Sequence, residues 1–151
     1  MLGVHFAVTA EQEKALLKAA RNDEVGDLVE DLGEDWDDES MKVDSDKAWD
    51  ALHRCLGDEY PLSHAILGGE DLHEEYWVVH VTAEQVRDVA AALRGLDRAW
   101  LRERFDAFDK DDYAGAGDDR DFEYTWGNFA DIRAFYDRAA TAGRAVVFTA
   151  M

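Results

Sequence analysis

Twice in this chain a short alternating apolar stretch runs straight into the tetrapeptide Thr-Ala-Glu-Gln. Leu2, Val4, Phe6 and Val8 alternate with small or polar Gly3, His5 and Ala7, the period of a β-strand with one core face. Thr9-Ala10-Glu11-Gln12 then reads as a capping box, in which the Thr hydroxyl and the Gln side chain satisfy free helix N–H groups. A helix is therefore expected to about Ala20. The unit recurs as Trp77, Val79 and Val81 followed by Thr82-Ala83-Glu84-Gln85. Val86, Val89, Ala90 and Leu93 follow at helical spacing, Val81 can staple onto Val86, and Gly95 can end the helix. The shared grammar of a capped helix after a strand explains the likeness, with true duplication as the alternative; two copies do not make a solenoid.

The other segments fill in the same architecture. Val25, Leu28, Val29 and Leu32 predict a short amphipathic helix ending near Gly33, followed by an acidic loop over Glu34–Asp44. A third helix is expected from Ser45 or Asp46 to just before Gly57, with Ala48, Leu52, Cys55 and Leu56 on one face. Pro61 begins a short segment through Leu67 that stops at Gly68-Gly69. Asp97 can cap a helix that turns Trp100, Leu101, Phe105 and Phe108 inward before an acidic loop over Asp109–Asp121. Asn128 can cap the last helix, with Ile132, Phe135, Tyr136, Ala139 and Ala140 inward and Gly143 at its end. Ala145-Val146-Val147-Phe148-Thr149 reads as a buried strand paired in the same sheet as residues 2–8. The fold class predicted is α+β: a small mixed sheet of about three to five strands, including the N- and C-terminal ones, covered by about five to six helices.

At 151 residues with a 47% apolar fraction and a single Pro, one domain over 1–151 with one core is the expectation. One cysteine, Cys55, permits no internal disulfide, which suits a reducing cytoplasm. The N-terminus has no basic region and turns polar at Thr9, too early for a signal peptide, and no stretch reaches the roughly 20 apolar residues of a membrane helix. A cytoplasmic location follows as an expectation. Thirty-five acids against sixteen bases give a charge of −19, which disfavours nucleic acid and anionic membrane surfaces as partners. A solvated surface, codon bias and salt adaptation are the bland accounts of that acidity.

Asp44-Ser45-Asp46-Lys47-Ala48-Trp49-Asp50-Ala51-Leu52-His53, followed by Ile66-Leu67-Gly68-Gly69, resembles the core signature of the YfbM-like family, a bacterial domain of unknown function (DUF1877). Val81-Thr82-Ala83-Glu84-Gln85-Val86 and the terminal Phe135-Tyr136, Ala139-Ala140, Gly143 and Val146-Val147 also resemble that family, so the likeness spans nearly the whole chain. It implies an α+β fold and a bacterial source, and carries no activity, cofactor or catalytic residue across. The loop from Asp109 to Asp121 and the compact segment after Gly69 depart from the pattern.

The densest candidate site is the helix from Asp46. Trp49 and His53 lie one turn apart there, Asp46 and Asp50 occupy a neighbouring stripe, and Lys47 or Arg54 could meet an anion. A cleft beside Gly68-Gly69 would let His53 transfer a proton while an Asp orients it. The structural alternative packs Trp49 and His53 against the Ile66-Leu67 turn, with Asp46 capping the helix. Asp46, Lys47, Trp49, Asp50, His53, Gly68 and Gly69 are thus the candidate ligand-binding residues. No catalytic set, metal site or cofactor is assigned. His5, His64, His73 and His80 lack ligand spacing, although separate strands could bring His5 and His80 together. Asp109-Lys110-Asp111-Asp112-Tyr113 starts like a calcium loop, but Ala114 replaces the Gly at position six and Arg120 the Glu at position twelve. Gly68-Gly69 belongs to no phosphate motif, no Ser has a nucleophile-elbow context, and Cys55 lies on an apolar helix face.

Two functional readings follow. In the first, a non-enzymatic acidic binding domain uses residues around 23–46 and 109–123 to meet a basic protein partner, in the manner of an immunity protein or antitoxin. In the second, a small-molecule-binding domain or enzyme holds its ligand beside the Trp49/His53 helix and Gly68-Gly69, walled by Trp77 or Trp126. The lack of a complete catalytic constellation puts binding ahead of catalysis. The apolar pattern sets no oligomeric state.

Overall fold

Five strands and six helices make up the chain in a computed structural model that describes residues 1–151. The strands are β1 (Gly3–Val8), β2 (Lys42–Asp46), β3 (Glu70–Asp71), β4 (Trp77–Val81) and β5 (Ala145–Ala150). The helices are α1 (Ala10–Arg21), α2 (Val25–Asp35), α3 (Trp49–Leu56), α4 (Ala83–Arg94), α5 (Arg98–Ala107) and α6 (Asp119–Thr141). The α+β class, the element numbers and the pairing of the terminal strands agree with the sequence reading; Phe6 lies opposite Val147 and Val8 opposite Ala145. The sheet, ordered β2-β1-β5-β4-β3, is antiparallel at every pairing and not mixed. β1 and β4 run in the same direction, but β5 lies between them and opposes both.

Both capped units form as read. The Thr9 hydroxyl accepts from the Gln12 N–H at 3.1 Å and the Thr82 hydroxyl from the Gln85 N–H at 3.2 Å, each with its Gln side chain returning the bond. Their helices lie on opposite faces of the sheet. Leu16 and Ala19 of α1, with Val25 and Val29 of α2, bury Phe6, Val8, Val78, Ala145 and Val147 in a smaller core. On the other face α3, α4, α5 and α6 enclose a larger core that holds Ala7, Val79, Val81, Val146 and Phe148.

β1 therefore has two core faces where one was expected, because large side chains from other elements fill the space above its small residues. A Cβ on Gly3 would stand 2.7 Å from Trp49 Cδ1 and 2.9 Å from Phe148 Cε2. His5, fully buried on that face, packs among Phe135, Tyr136 and Phe148.

Three boundaries depart from expectation. The expected loop over Glu34–Asp44 contains the end of α2, a 3-10 turn at Glu39–Met41 and most of β2. Pairing to β1 and a buried Ser45 hydroxyl donating to Gly3 O at 3.1 Å hold this polar strand. α3 begins at Trp49, later than Ser45 or Asp46. α6 begins at Asp119, where Asp118 accepts from the Asp121 N–H at 2.9 Å; Asn128 is mid-helix and donates to Tyr124 O instead of capping. No helix is long and apolar enough to cross a membrane.

Candidate functional site

Ala51, Leu52, Cys55 and Leu56 form the buried face of α3, which leaves its candidate residues on the flanks. Asp46 does not cap this helix. It ends β2 in the left-handed region, with φ at 48°, and accepts from the Tyr124 hydroxyl at 2.8 Å, while the Lys47 N–H donates to the same hydroxyl at 3.0 Å. Both residues are exposed and tie β2 to α6. Half-buried Trp49 covers Gly3, donates through Nε1 to Met1 O at 3.1 Å and lies 5.9 Å from the Phe148 ring.

Asp50 receives Arg54 Nε at 2.9 Å, and Arg54 reaches Asp112 in the acidic loop at 2.7 Å. The Arg54 guanidinium also sits over the Phe108 and Tyr113 rings, so α3 is riveted to the loop after α5. The hydrogen bonds that Arg54 donates to Asp112 and Asp50 push its pKa upward, and the Arg54 bond holds the Asp112 carboxyl below its ordinary value. His53 has a buried Nδ1 with no partner, and burial lowers its pKa against the opposing pull of Asp58 and Asp50. Cys55 is fully buried, and desolvation pushes its thiol up to about 12, which leaves it protonated and unreactive.

Gly68 and Gly69 are places where backbone approaches backbone. A Cβ on Gly68 would meet the Ser63 carbonyl at 2.5 Å, and one on Gly69 would run into the His80 carbonyl oxygen. The Gly68 N–H is committed to Ser63 O at 2.8 Å. Trp77 lies exposed at the start of β4, and Trp126 stacks on Phe129 under Arg133. Of the sequence-predicted residues, Trp49, Asp50 and His53 thus lie on α3, Asp46 and Lys47 at the end of β2 against α6, and Gly68 and Gly69 against Ser63 and β4, and none borders the five principal surface clefts.

The histidines are separated by the sheet. His5 Nε2 donates to Ala65 O at 2.7 Å on the larger-core face, and His80 Nε2 meets Glu13 at 2.7 Å on the α1 face. No group of three or more His, Cys, Asp or Glu side chains is arranged to hold a metal.

A cleft of about 400 Å³ lies elsewhere, between the start of α1 and the end of α2. Asp31, Asp35, Asp37 and Asp38 line it with Trp36 and Arg144. Trp36 packs edge-on against Phe6 and donates to Asp38 O at 2.7 Å. Ser40 hydrogen bonding, aided by Arg144, holds the Asp38 carboxyl below its ordinary value. The acid run over 23–46 signals this cleft in the sequence. Nothing marks Trp36 or the distant Arg144 as its walls.

The two acidic segments differ in how their charge is met. In the loop and helix start around 109–123, Asp112 pairs with Arg54, Asp119 with Arg102 and Glu123 with Arg98, while Asp121 accepts from the Tyr113 hydroxyl. None of the twelve carboxylates in residues 23–46 forms an ion pair. α2 even ends in Glu34 and Asp35 with no base in its last turn, against the preference of the helix dipole.

The fold and its uncommitted surface define a small antiparallel α+β domain with helices on both faces of the sheet, and the chain belongs to the family of the domain of unknown function DUF1877, whose profile matches residues 1–149. Among solved structures it is similar to YfbM from Escherichia coli, a protein of unknown function, with a TM-score of 0.76, 21% identity and 99% of each chain covered. That likeness carries the fold alone. No curated protein matches the chain.

Proposed function

We propose that this chain is a non-enzymatic binding domain whose acidic face over residues 23–46 meets a basic protein partner. The observation that carries this reading is the contrast between the two acidic segments: arginines pair with three of the seven carboxylates in the second, while the first holds twelve carboxylates without an ion pair. Like charges left together on a surface cost stability and focus a negative potential that speeds encounter with a cation. The cleft of Asp31, Asp35, Asp37 and Asp38 beside Trp36 offers an alkylammonium or guanidinium both charge and an aromatic wall. Affinity capture at low salt tests the reading. The wild-type bait should retain a basic protein that added salt releases. The Asp31→Asn, Asp35→Asn, Asp37→Asn, Asp38→Asn variant should lose it, and an Asp109→Asn, Asp111→Asn control should keep it. Capture of nothing, or equal capture by all three, overturns the proposal.

A second reading places a small molecule beside α3, and the unpartnered Nδ1 of His53 favours it. Thermal-shift screening against metabolites is its test. It fails where no compound stabilises the wild type more than His53→Ala.

A further inference from the structure

On the α1/α2 side of the sheet a groove of about 390 Å³ lies between α2 and the strands β1, β2 and β5. Val4, Phe6, Val29 and Met151 contribute its apolar lining, and Glu30 and Glu34 of α2 stand along it. Leu2, 51% exposed, directly precedes β1, and Met151, 38% exposed, directly follows β5, whose Ala150 pairs with Gly3, so the two stand at the same end of the sheet as Val4. Asp44 of the edge strand β2 pairs with the groove residue Val4 and so lies on the same face of the sheet. An apolar floor between acidic flanks selects a ligand that is both apolar and cationic. Lys42, the sole base of residues 23–46, also lines this groove, with its Nζ 6.0 Å over the Phe6 ring, and a docking cation takes its place against the acids.

Resting on the basic-partner reading above, we infer that this groove docks a basic amphipathic helix of the partner, with leucine-like side chains on Leu2, Val4 and Met151 and lysines or arginines against Glu30, Glu34 and Asp44. Charge decides the occupant. A second copy of this chain, at −19, would bring further carboxylates to the same flanks, and an acidic or neutral helix would leave Glu30 and Glu34 unanswered.

The test uses three peptides at low salt: a Leu/Lys amphipathic helix, an oligolysine of equal charge, and a Leu/Glu counterpart of the first. Affinity is followed by calorimetry and location by amide chemical shifts of the wild-type protein. The Leu/Lys peptide should bind most tightly and shift Leu2, Val4, Glu30, Glu34 and Met151, and the exposed pair of changes Glu30→Gln and Glu34→Gln should weaken it about tenfold. Equal binding of the Leu/Glu peptide overturns the proposal. Shifts confined to Asp31, Asp35, Asp37 and Asp38, with oligolysine binding as well as Leu/Lys, also overturn it but leave the basic-partner reading standing. Failure of both basic peptides to bind takes down the two together.

Discussion

Small residues that sequence patterning treats as spacers carry much of the packing. Gly69 sits under the His80 carbonyl with Val79 Cγ1 2.9 Å from the place of a Cβ, and the obstacle is strand backbone that cannot swing away. Gly69→Ala should destabilise the protein by about 2 kcal/mol, read as a lower urea midpoint at unchanged slope. In the sequence His5 is the polar member of an alternation, which separate strands could bring near His80. Its burial depends on Ala65, Phe135, Tyr136 and Phe148, contributed by distant segments. Desolvation lowers its pKa to about 4 from 6.5, so the unfolded chain binds the extra proton first as pH falls. His5 thus lets stability remain in full above about pH 6.5 and takes it away as pH falls toward 4, up to about 3 kcal/mol. Protonation of surface carboxylates acts in the opposite sense by relieving repulsion, so the comparison with His5→Leu isolates the histidine. Urea midpoints at pH 7 and 4.5 should fall further in the wild type than in the variant. Parallel behaviour would mean that His5 does not carry this dependence.

Elements with local signals were readable, and those held by tertiary contacts were not. The capping boxes at Thr9 and Thr82 stood in the sequence because both partners lie within one turn. β2 was missed because Lys-Val-Asp-Ser-Asp has one large apolar residue; its register comes from β1 and from the Ser45 bond to Gly3. The start of α6 was misplaced because Gly127-Asn128 looks like a boundary, whereas the helix runs through both and Asn128 donates back to Tyr124 O. Of the candidate site, the α3 face was legible from spacing. Asp50 and Arg54 stand four residues apart on α3, a pair that helical spacing offers, whereas the Arg54–Asp112 bond and the Tyr124 contacts of Asp46 and Lys47 join residues far apart in sequence, which no local pattern reports. Because Gly127 is exposed, helical and has open space around its missing Cβ, Gly127→Ala should raise stability by about 0.5–1 kcal/mol, measured by thermal or urea unfolding. A loss of stability would mean that α6 breaks at Gly127 in solution.

Across the whole molecule, negative charge is distributed unevenly between paired and unpaired carboxylates. Arginines pair with acids near α5 and the start of α6, yet the carboxylates at the end of α2 form no ion pair even with Arg144 in their cleft, and Glu34 and Asp35 sit at the negative pole of that helix. Replacing them with bases removes the repulsion and favours the dipole, so Glu34→Lys with Asp35→Lys should stabilise the fold by about 1 kcal/mol, and 0.5 M salt should raise the melting temperature of the wild type more than that of the variant. Were the acidity only solvation, codon bias or salt adaptation, the variant would gain stability and keep every other property. The basic-partner reading requires a cost: the more stable variant should lose salt-sensitive retention of basic ligands, because the carboxylates that strain α2 are the ones that recognise the partner. Stability and basic-peptide affinity measured on the same pair of proteins decide between these accounts. A gain in stability with affinity unchanged within twofold removes functional meaning from the α2 charges, and a gain coupled to a loss of about tenfold or more assigns them to binding.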